Sequence, residues 1–244
     1  MRFFARSFER ARTTRRQRRR EHRQTLRVGA VGFAAWATAG AFRPWLALGG
    51  AVWWLLMLAM FGWHLGMLED ESGEPLHRLG LANLLSLARA AVVPLLPVAA
   101  PALWAAIVIP AGATDAIDGS LARARGEETR LGAWLDPGAD ALLLSTAAVG
   151  AARHDLLPWW TAALVLARYT LQALGVALAY FVRAQSPRHV SVAGRAPGLV
   201  LFAGVALAAL RFPLAAPLVS VGALGGVAAL TLTVVRGSLP EATA

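Results

Sequence analysis

Apolar residues run along this chain in stretches close to the roughly 17–25 residues that a helix needs to cross a bilayer. Short polar or proline-bearing breaks separate them. The candidate spans are 26–42, 46–67, 81–100, 101–117, 138–153, 158–182, 197–210 and 213–235, several of them short. Arg43-Pro44 divides the first two, Pro101 the third from the fourth, and Phe212-Pro213 the last two. The segment 68–80 is polar and is expected to carry at most a short interfacial helix. Ala and Gly fill most spans, as they do where helices approach closely in lipid. No repeat of solenoid period is present. The pattern predicts an all-α fold, a polytopic membrane helix bundle.

Composition agrees. Hydrophobic residues make up 57% of the 244 and charged residues 16%, against about 45–50% and 25% in soluble domains; the mean hydropathy is +0.53. The absence of Cys excludes a disulfide-stapled fold and any thiolate metal site. All positive charge is Arg, and the formal net charge is +10.

That charge is unevenly placed. Arginines crowd the chain from Arg2 to Arg27 without the small-residue cleavage site of a signal peptide. The tail, residues 1–25, reads as an uncleaved cytoplasmic anchor touching anionic lipid. It lacks the interleaved aromatics of a nucleic-acid arm, so no nucleic-acid partner is expected. With the tail inside, successive pairs of spans return the chain to the cytoplasm at 68–80, 118–137, 183–196 and the C-terminus. Those loops hold Arg78, Arg123, Arg125, Arg130, Arg183, Arg188, Arg195 and Arg236, while the outer ones hold only Arg43, Arg153 and Arg211. The asymmetry supports the orientation. Trp45, Trp53, Trp54, Trp159 and Trp160 are expected to anchor at the interfaces.

The polar chemistry gathers in one stretch. Of six Asp in the chain, four are Asp115, Asp118, Asp136 and Asp140. The first two are spaced i, i+3 at the end of one span and the others i, i+4 at the start of the next, so each pair shares a helical face. One capping Asp would need no further explanation. Four carboxylates drawn together repel, and each costs on the order of 2.5–3.5 kcal/mol at mid-bilayer. Divalent cations relieve both problems, and an all-oxygen donor set favours Mg²⁺ or Mn²⁺, two of which would neutralise the four charges. Mg²⁺ commonly shares its shell with substrate phosphates. Gly119 and Gly132 remove side chains where a ligand approaches closely, Ala122 keeps the wall thin, and Arg123 offers a planar cation suited to phosphate.

The full pattern, D-x-x-D-G-x-x-A-R-x8-G-x-x-x-D-x-x-x-D from Asp115 to Asp140, resembles the signature of the CDP-alcohol phosphotransferase (CDP-alcohol phosphatidyltransferase) family at every defining position. The resemblance covers residues 75–236. It implies a six-helix catalytic core with its site near the cytoplasmic face, leaving 26–67 as about two additional N-terminal transmembrane helices and 237–244 as a C-terminal tail. By the same resemblance Asp115, Asp118, Asp136 and Asp140 are metal ligands, Asp140 is also the general base, and Gly119, Ala122, Arg123 and Gly132 cradle the CDP moiety. Core members of the family commonly pair, so a homodimer is an expectation too.

Two flanking stretches extend the likeness. Asn83-Leu84-Leu85-Ser86-Leu87-Ala88-Arg89 with Pro94 is similar to the family's first core helix. It puts Asn83 within reach of the CDP cradle and Arg89 about two turns deeper, where it needs a partner. Ser191-Val-Ala-Gly194-Arg195 resembles a loop that often reads S-x-x-G-K in phospholipid-making members; with Arg183 and Arg188 it offers a cationic cluster for an acceptor's phosphate. Arg168 is followed by Tyr169, where some members carry an acidic residue.

The resemblance therefore implies transfer of a phosphatidyl group from CDP-diacylglycerol to a small alcohol, with release of CMP. The Arg cluster favours a phosphorylated polyol such as glycerol 3-phosphate or inositol phosphate. Another acceptor or another CDP-alcohol donor is the nearest alternative. A divalent-cation channel is the alternative of a different class; it would spread polar groups through the bilayer instead of gathering them in one patch.

Overall fold

The computed structural model describes residues 18–70, 73–76, 78–125, 127–183 and 192–238; the side chains of 18–20, 22, 42, 115–124, 176–183, 192–195 and 233–238 lie outside the description. Among the described residues there are eight α-helices: α1 Arg18–Phe42, α2 Pro44–Trp63, α3 Leu81–Val92, α4 Pro101–Arg125, α5 Arg130–Arg153, α6 Trp159–Arg183, α7 Val192–Ala209 and α8 Ala215–Ser238. One helix rises from each predicted span. Two helical stretches, Pro44–Trp63 and Ala215–Leu232, are long and apolar enough to cross a membrane. Leu48, Val52, Leu55, Leu56, Leu174 and Leu224 are all more than half exposed, as helices facing lipid require.

α1 begins at Arg18 instead of 26, within the stretch expected as a tail, α2 ends at Trp63 instead of 67, and α7 begins at Val192 instead of 197. Three further boundary differences bear on the site. The predicted span 81–100 stops as an α-helix at Val92 and passes into a 3₁₀ turn, Val93–Leu95, because Pro94 supplies no N–H and clashes with the preceding turn. α4 continues past 117 to Arg125, and α5 begins at Arg130 instead of near 138. The loop expected over 118–137 therefore shrinks to four residues. Hydropathy locates where side chains stop being apolar; backbone hydrogen bonds carry a helix onward through polar residues. The segment 68–80 forms no helix among its described residues. Asp70 N donates to Glu74 O at 2.9 Å, Glu74 N donates to Asp70 Oδ1 at 2.9 Å, and Glu69 bridges Pro75.

The chain divides into two compact units, Met1–Val98 with Ala113–Leu143, and Ala99–Gly112 with Leu144–Ala244. In the first, α1 and α2 pack as a hairpin interlocked by tryptophan and glycine. The Trp54 indole N–H donates to Gly29 O at 3.0 Å and its ring fills the space left by Gly32; Trp36 fills the space beside Gly50. Trp54 is 2% exposed, so it is a packing residue and not the interface anchor that its sequence position suggests. Trp45, Trp159 and Trp160 are exposed and retain that reading. The Trp53 indole donates to Ala90 O at 2.8 Å, tying α2 to α3. Phe61, Leu65, Met67, Leu68, Leu79, Leu87 and Leu131 close a small apolar core beneath the 64–80 strap. Gln24 Oε1 on α1 accepts Leu79 N at 3.0 Å.

In the second unit α7 lies against α8 and α6 against α8. The turns after α5 and α7 close through left-handed residues, Asp155 at φ 55° and Arg211 at φ 53°. Leu156 N reaches back to Ala151 O at 2.9 Å and Phe212 N to Leu207 O at 3.1 Å, the Schellman arrangement, and Pro158 and Pro213 follow.

Candidate active site

α3 and the start of α5 meet along a row of polar residues. Asn83, Ser86 and Arg89 lie at i, i+3 and i+6 on α3; Gly132, Asp136 and Asp140 lie at i, i+4 and i+8 on α5. The side-chain contacts pair off as rungs, in order from the N-terminal end of both helices inward.

The first rung is a cap. Thr129 precedes α5, and its Oγ1 accepts Gly132 N at 2.9 Å, satisfying an N–H that the helix itself leaves unpaired. Asn83, 1% exposed, donates from Nδ2 to the same Oγ1 at 3.2 Å. A Cβ on residue 132 would meet Asn83 Oδ1 at 2.8 Å and Thr129 Oγ1 at 3.1 Å, so glycine there is what admits the asparagine. Just outside this rung, Glu127 Oε2 accepts Leu81 N at the start of α3 at 3.2 Å, and its Oε1 pairs with Arg78 at 3.0 Å. Arg130 pairs with Glu69 at 2.8 Å, and its backbone N–H donates to Glu69 O at 3.0 Å.

The deeper rungs carry the charge. Ser86 Oγ lies against Asp136 Oδ1 and 3.0 Å from Ala82 O. Arg89 is 3% exposed. Its Nη1 lies 2.8 Å from Asp140 Oδ1, its Nη2 lies 3.8 Å from Asp136 Oδ1, and Nη2 also donates to Ser86 Oγ at 3.2 Å. The partner that Arg89 required is therefore the second pair of motif carboxylates. Asp136 and Asp140 keep 34% and 25% of their side-chain surface exposed, enough to be reached from outside.

Sequence reasoning brought Asn83, Arg89, Gly132, Asp136 and Asp140 into view, and the structure puts them on one seam. It had no role for Ser86, Glu127 or Thr129. Ser86 was visible as a motif position, and Thr129 as a cap-type residue just ahead of a helix; Glu127 gave no local signal. Asp115, Asp118, Gly119, Ala122 and Arg123 lie on the helical backbone of α4, with side chains outside the described residues. Arg183 and Arg195 are on α6 and α7 with side chains likewise outside, and Arg188 lies outside altogether. Arg168 is buried in the second unit. Its Nη1 donates to Gly222 O at 3.1 Å, its charge sits 4.9 Å from the Tyr169 ring centroid, and its guanidinium fills the space left by Gly226.

Among the described residues no three carboxylate or imidazole groups come together. The fit to a divalent cation rests on the pair that is described. Asp136 and Asp140 are hard oxygen donors, and both direct Oδ1 at one buried cation, the Arg89 guanidinium. That convergence and the remaining exposure suit an ion that accepts a few carboxylates together with substrate phosphate.

The CDP-alcohol phosphatidyltransferase family model matches residues 79–235. Among curated proteins, a probable phosphatidylglycerophosphate synthase of Mycobacterium tuberculosis is 35% identical over 182 residues, covering 69% of this chain and 85% of that protein. A CMP-forming cardiolipin synthase of Streptomyces coelicolor is 37% identical over 100 residues, 37% of this chain and 46% of that protein. A CDP-diacylglycerol–glycerol-3-phosphate 3-phosphatidyltransferase of Yersinia enterocolitica is 38% identical over 100 residues, 37% of this chain and 55% of that protein. No solved structure matches the chain.

Proposed function

The chain belongs to the CDP-alcohol phosphatidyltransferase family, and from that membership we propose that it moves a phosphatidyl group from CDP-diacylglycerol to glycerol 3-phosphate, releasing CMP. That it is a transferase of phospholipid biosynthesis, and a membrane protein, follows from the family, its relatives and its apolar helices. The cation-channel reading is thereby set aside. The acceptor is the finer step. Two relatives carry names built on glycerol 3-phosphate or its phosphatidyl product, and a phosphorylated polyol suits the Arg183, Arg188 and Arg195 cluster. Inositol phosphate is the second candidate.

The observation that carries the mechanism is the convergence of Asp136 and Asp140 on Ser86 and Arg89. Family members generally use divalent metal ions. Asp115, Asp118, Asp136 and Asp140 would hold one or two of them, Mg²⁺ or Mn²⁺, which when bound supply charge stabilisation for the pyrophosphate and the departing CMP. In this reading Asp140 takes the proton of the acceptor hydroxyl, and the freed oxygen attacks the lipid-linked phosphorus. Gly119, Ala122 and Arg123 line the CDP moiety, and Gly132, expected to line it too, serves it indirectly by admitting Asn83 to the Thr129 cap. Asn83 acts on it from behind, through its bond to the Thr129 cap. α3 to α8, within residues 75–236, form the catalytic core; α1 and α2 are an addition that braces the strap before α3. No covalent enzyme intermediate is needed, because a positioned alcohol and a phosphoric anhydride react by direct displacement.

The test is CMP release by purified protein with CDP-diacylglycerol and a panel of acceptors. Glycerol 3-phosphate is expected to give the highest kcat/KM. Arg195→Ala is expected to raise its KM by about tenfold to over a hundredfold, since a lost charge-assisted contact costs about 1.5–3 kcal/mol. Serine or another unphosphorylated alcohol proving best would remove the acceptor assignment. The proposed cytoplasmic orientation needs a reporter beside the seam. Glu127 is buried in its pair with Arg78, whereas Glu128 is exposed. Glu128→Cys is expected to react with an impermeant maleimide only after the membrane is opened; full labelling of intact cells would reverse the topology.

A further inference from the structure

We propose that Arg89 is a positioning residue for the metal-binding carboxylates, holding Asp136 and Asp140 from behind together with Ser86. The inference rests on the reading that those two Asp are metal ligands, and it gives a function to a residue that the mechanism above names only as their point of convergence.

The geometry carries the argument. All the contacts described among these groups involve Oδ1: Arg89 Nη1 at 2.8 Å and Nη2 at 3.8 Å, and Ser86 Oγ on Asp136. Each carboxylate is thus held with one oxygen against the buried guanidinium, and Asp136 is held by the Ser86 hydroxyl as well. A carboxylate held in this way has less χ2 freedom to lose when the ion arrives. Arg89 is itself over-determined. Its side chain is 2% exposed, and Nη2 also donates to Ser86 Oγ at 3.2 Å. Ser86 is fully buried and lies 3.0 Å from Ala82 O one turn earlier. The planar guanidinium spans two acceptors one turn apart on α5, which a point-charge ammonium on a flexible stem reproduces only in part.

The choice of a cation for this post also has a reason. Carboxylates brought together without a counter-charge repel and would splay before the ion arrives. A fixed guanidinium offsets that repulsion and keeps the pair aligned. Removing a hydrogen-bonding group behind a metal ligand typically weakens metal affinity or activity by about 10- to 100-fold.

The experiment is Mn²⁺ binding to purified protein in detergent, read by the loss of the free-ion electron paramagnetic resonance signal, with no substrate present. Wild type, Arg89→Gln, Arg89→Lys, Ser86→Ala and Asp136→Asn are compared, and helical content and elution volume establish that each is folded. The expected result is a Kd about 10- to 100-fold weaker in Arg89→Gln, partly restored in Arg89→Lys, with a smaller loss in Ser86→Ala. If Arg89→Gln does not fold, Arg89→Lys and Ser86→Ala carry the test, each predicted weaker than wild type. Wild-type affinity or tighter in the folded Arg89 variants, with Asp136→Asn still weakened, would overturn the proposal and make Arg89 a competitor or a packing residue. Absence of specific binding in wild type itself would remove the metal reading and this inference with it.

Discussion

Asp140→Asn is expected to lower kcat for CMP release by about 10²- to 10⁴-fold, the range for loss of a positioned general base, while the KM values for CDP-diacylglycerol and acceptor stay largely unchanged. Asparagine has the shape of aspartate and keeps a carbonyl oxygen for Arg89 Nη1, which lies 2.8 Å from the native Oδ1. The seam between α3 and α5 also retains its other rungs, Asn83 with Thr129 and Ser86 with Asp136. A collapse of the fold is therefore not the expected cause of the loss. Asp140 is assigned both to metal and to the proton, so the assay is repeated across a wide Mg²⁺ range. A base cannot be replaced by more metal, and the deficit should persist at saturation. Full recovery at high Mg²⁺ would reduce Asp140 to a ligand, and unchanged kcat would remove it from the site. Asp155→Asn, in the turn after α5, is the control and should match wild type.

Gly222→Ala should destabilise the second unit by about 1–3 kcal/mol, the usual cost of forcing extra volume into a packed contact. A Cβ at residue 222 would meet Leu201 N at 2.5 Å and Leu201 Cα at 2.7 Å. Those are backbone atoms, so α7 and α8 must separate to admit it. Gly204→Ala acts at the same contact from the other helix, where its Cβ would meet Val219 N at 2.7 Å. The double variant is expected to cost less than the sum, because the first methyl already opens the gap. In lipid the loss falls on close packing, which is the main force holding small-residue helices together. Gly49→Ala, which meets nothing within 4 Å, should be neutral. Thermal unfolding in detergent checks all four; equal midpoints for Gly222→Ala and Gly49→Ala would mean that the α7–α8 contact is looser than described.

The eight helices of the described residues and the carboxylate motif were legible in the sequence, and the reason is locality. A helix in lipid must satisfy every backbone group within its own segment, so length and hydropathy locate it without knowledge of its neighbours. The i, i+3 and i, i+4 spacings likewise fix which Asp share a face through helix geometry alone. Helix ends were less legible: α4 and α5 run through polar residues to a break of only four, which apolar runs do not mark, although Thr129 signals the start of α5.

The tertiary structure decided the partnerships. Ser86 and Asp136 are 50 positions apart, and Asn83 and Thr129 are 46 apart; no periodicity within either segment selects one for the other. Trp54 reads as an interfacial residue until Gly29 and Gly32 are seen to receive it. Arg89 announced by its charge that it needed a counter-ion, since an arginine inside an apolar helix is costly. Only the meeting of α3 with α5 determined that the counter-ions are Asp136 and Asp140, because those carboxylates lie on a different helix, far along the chain from Arg89.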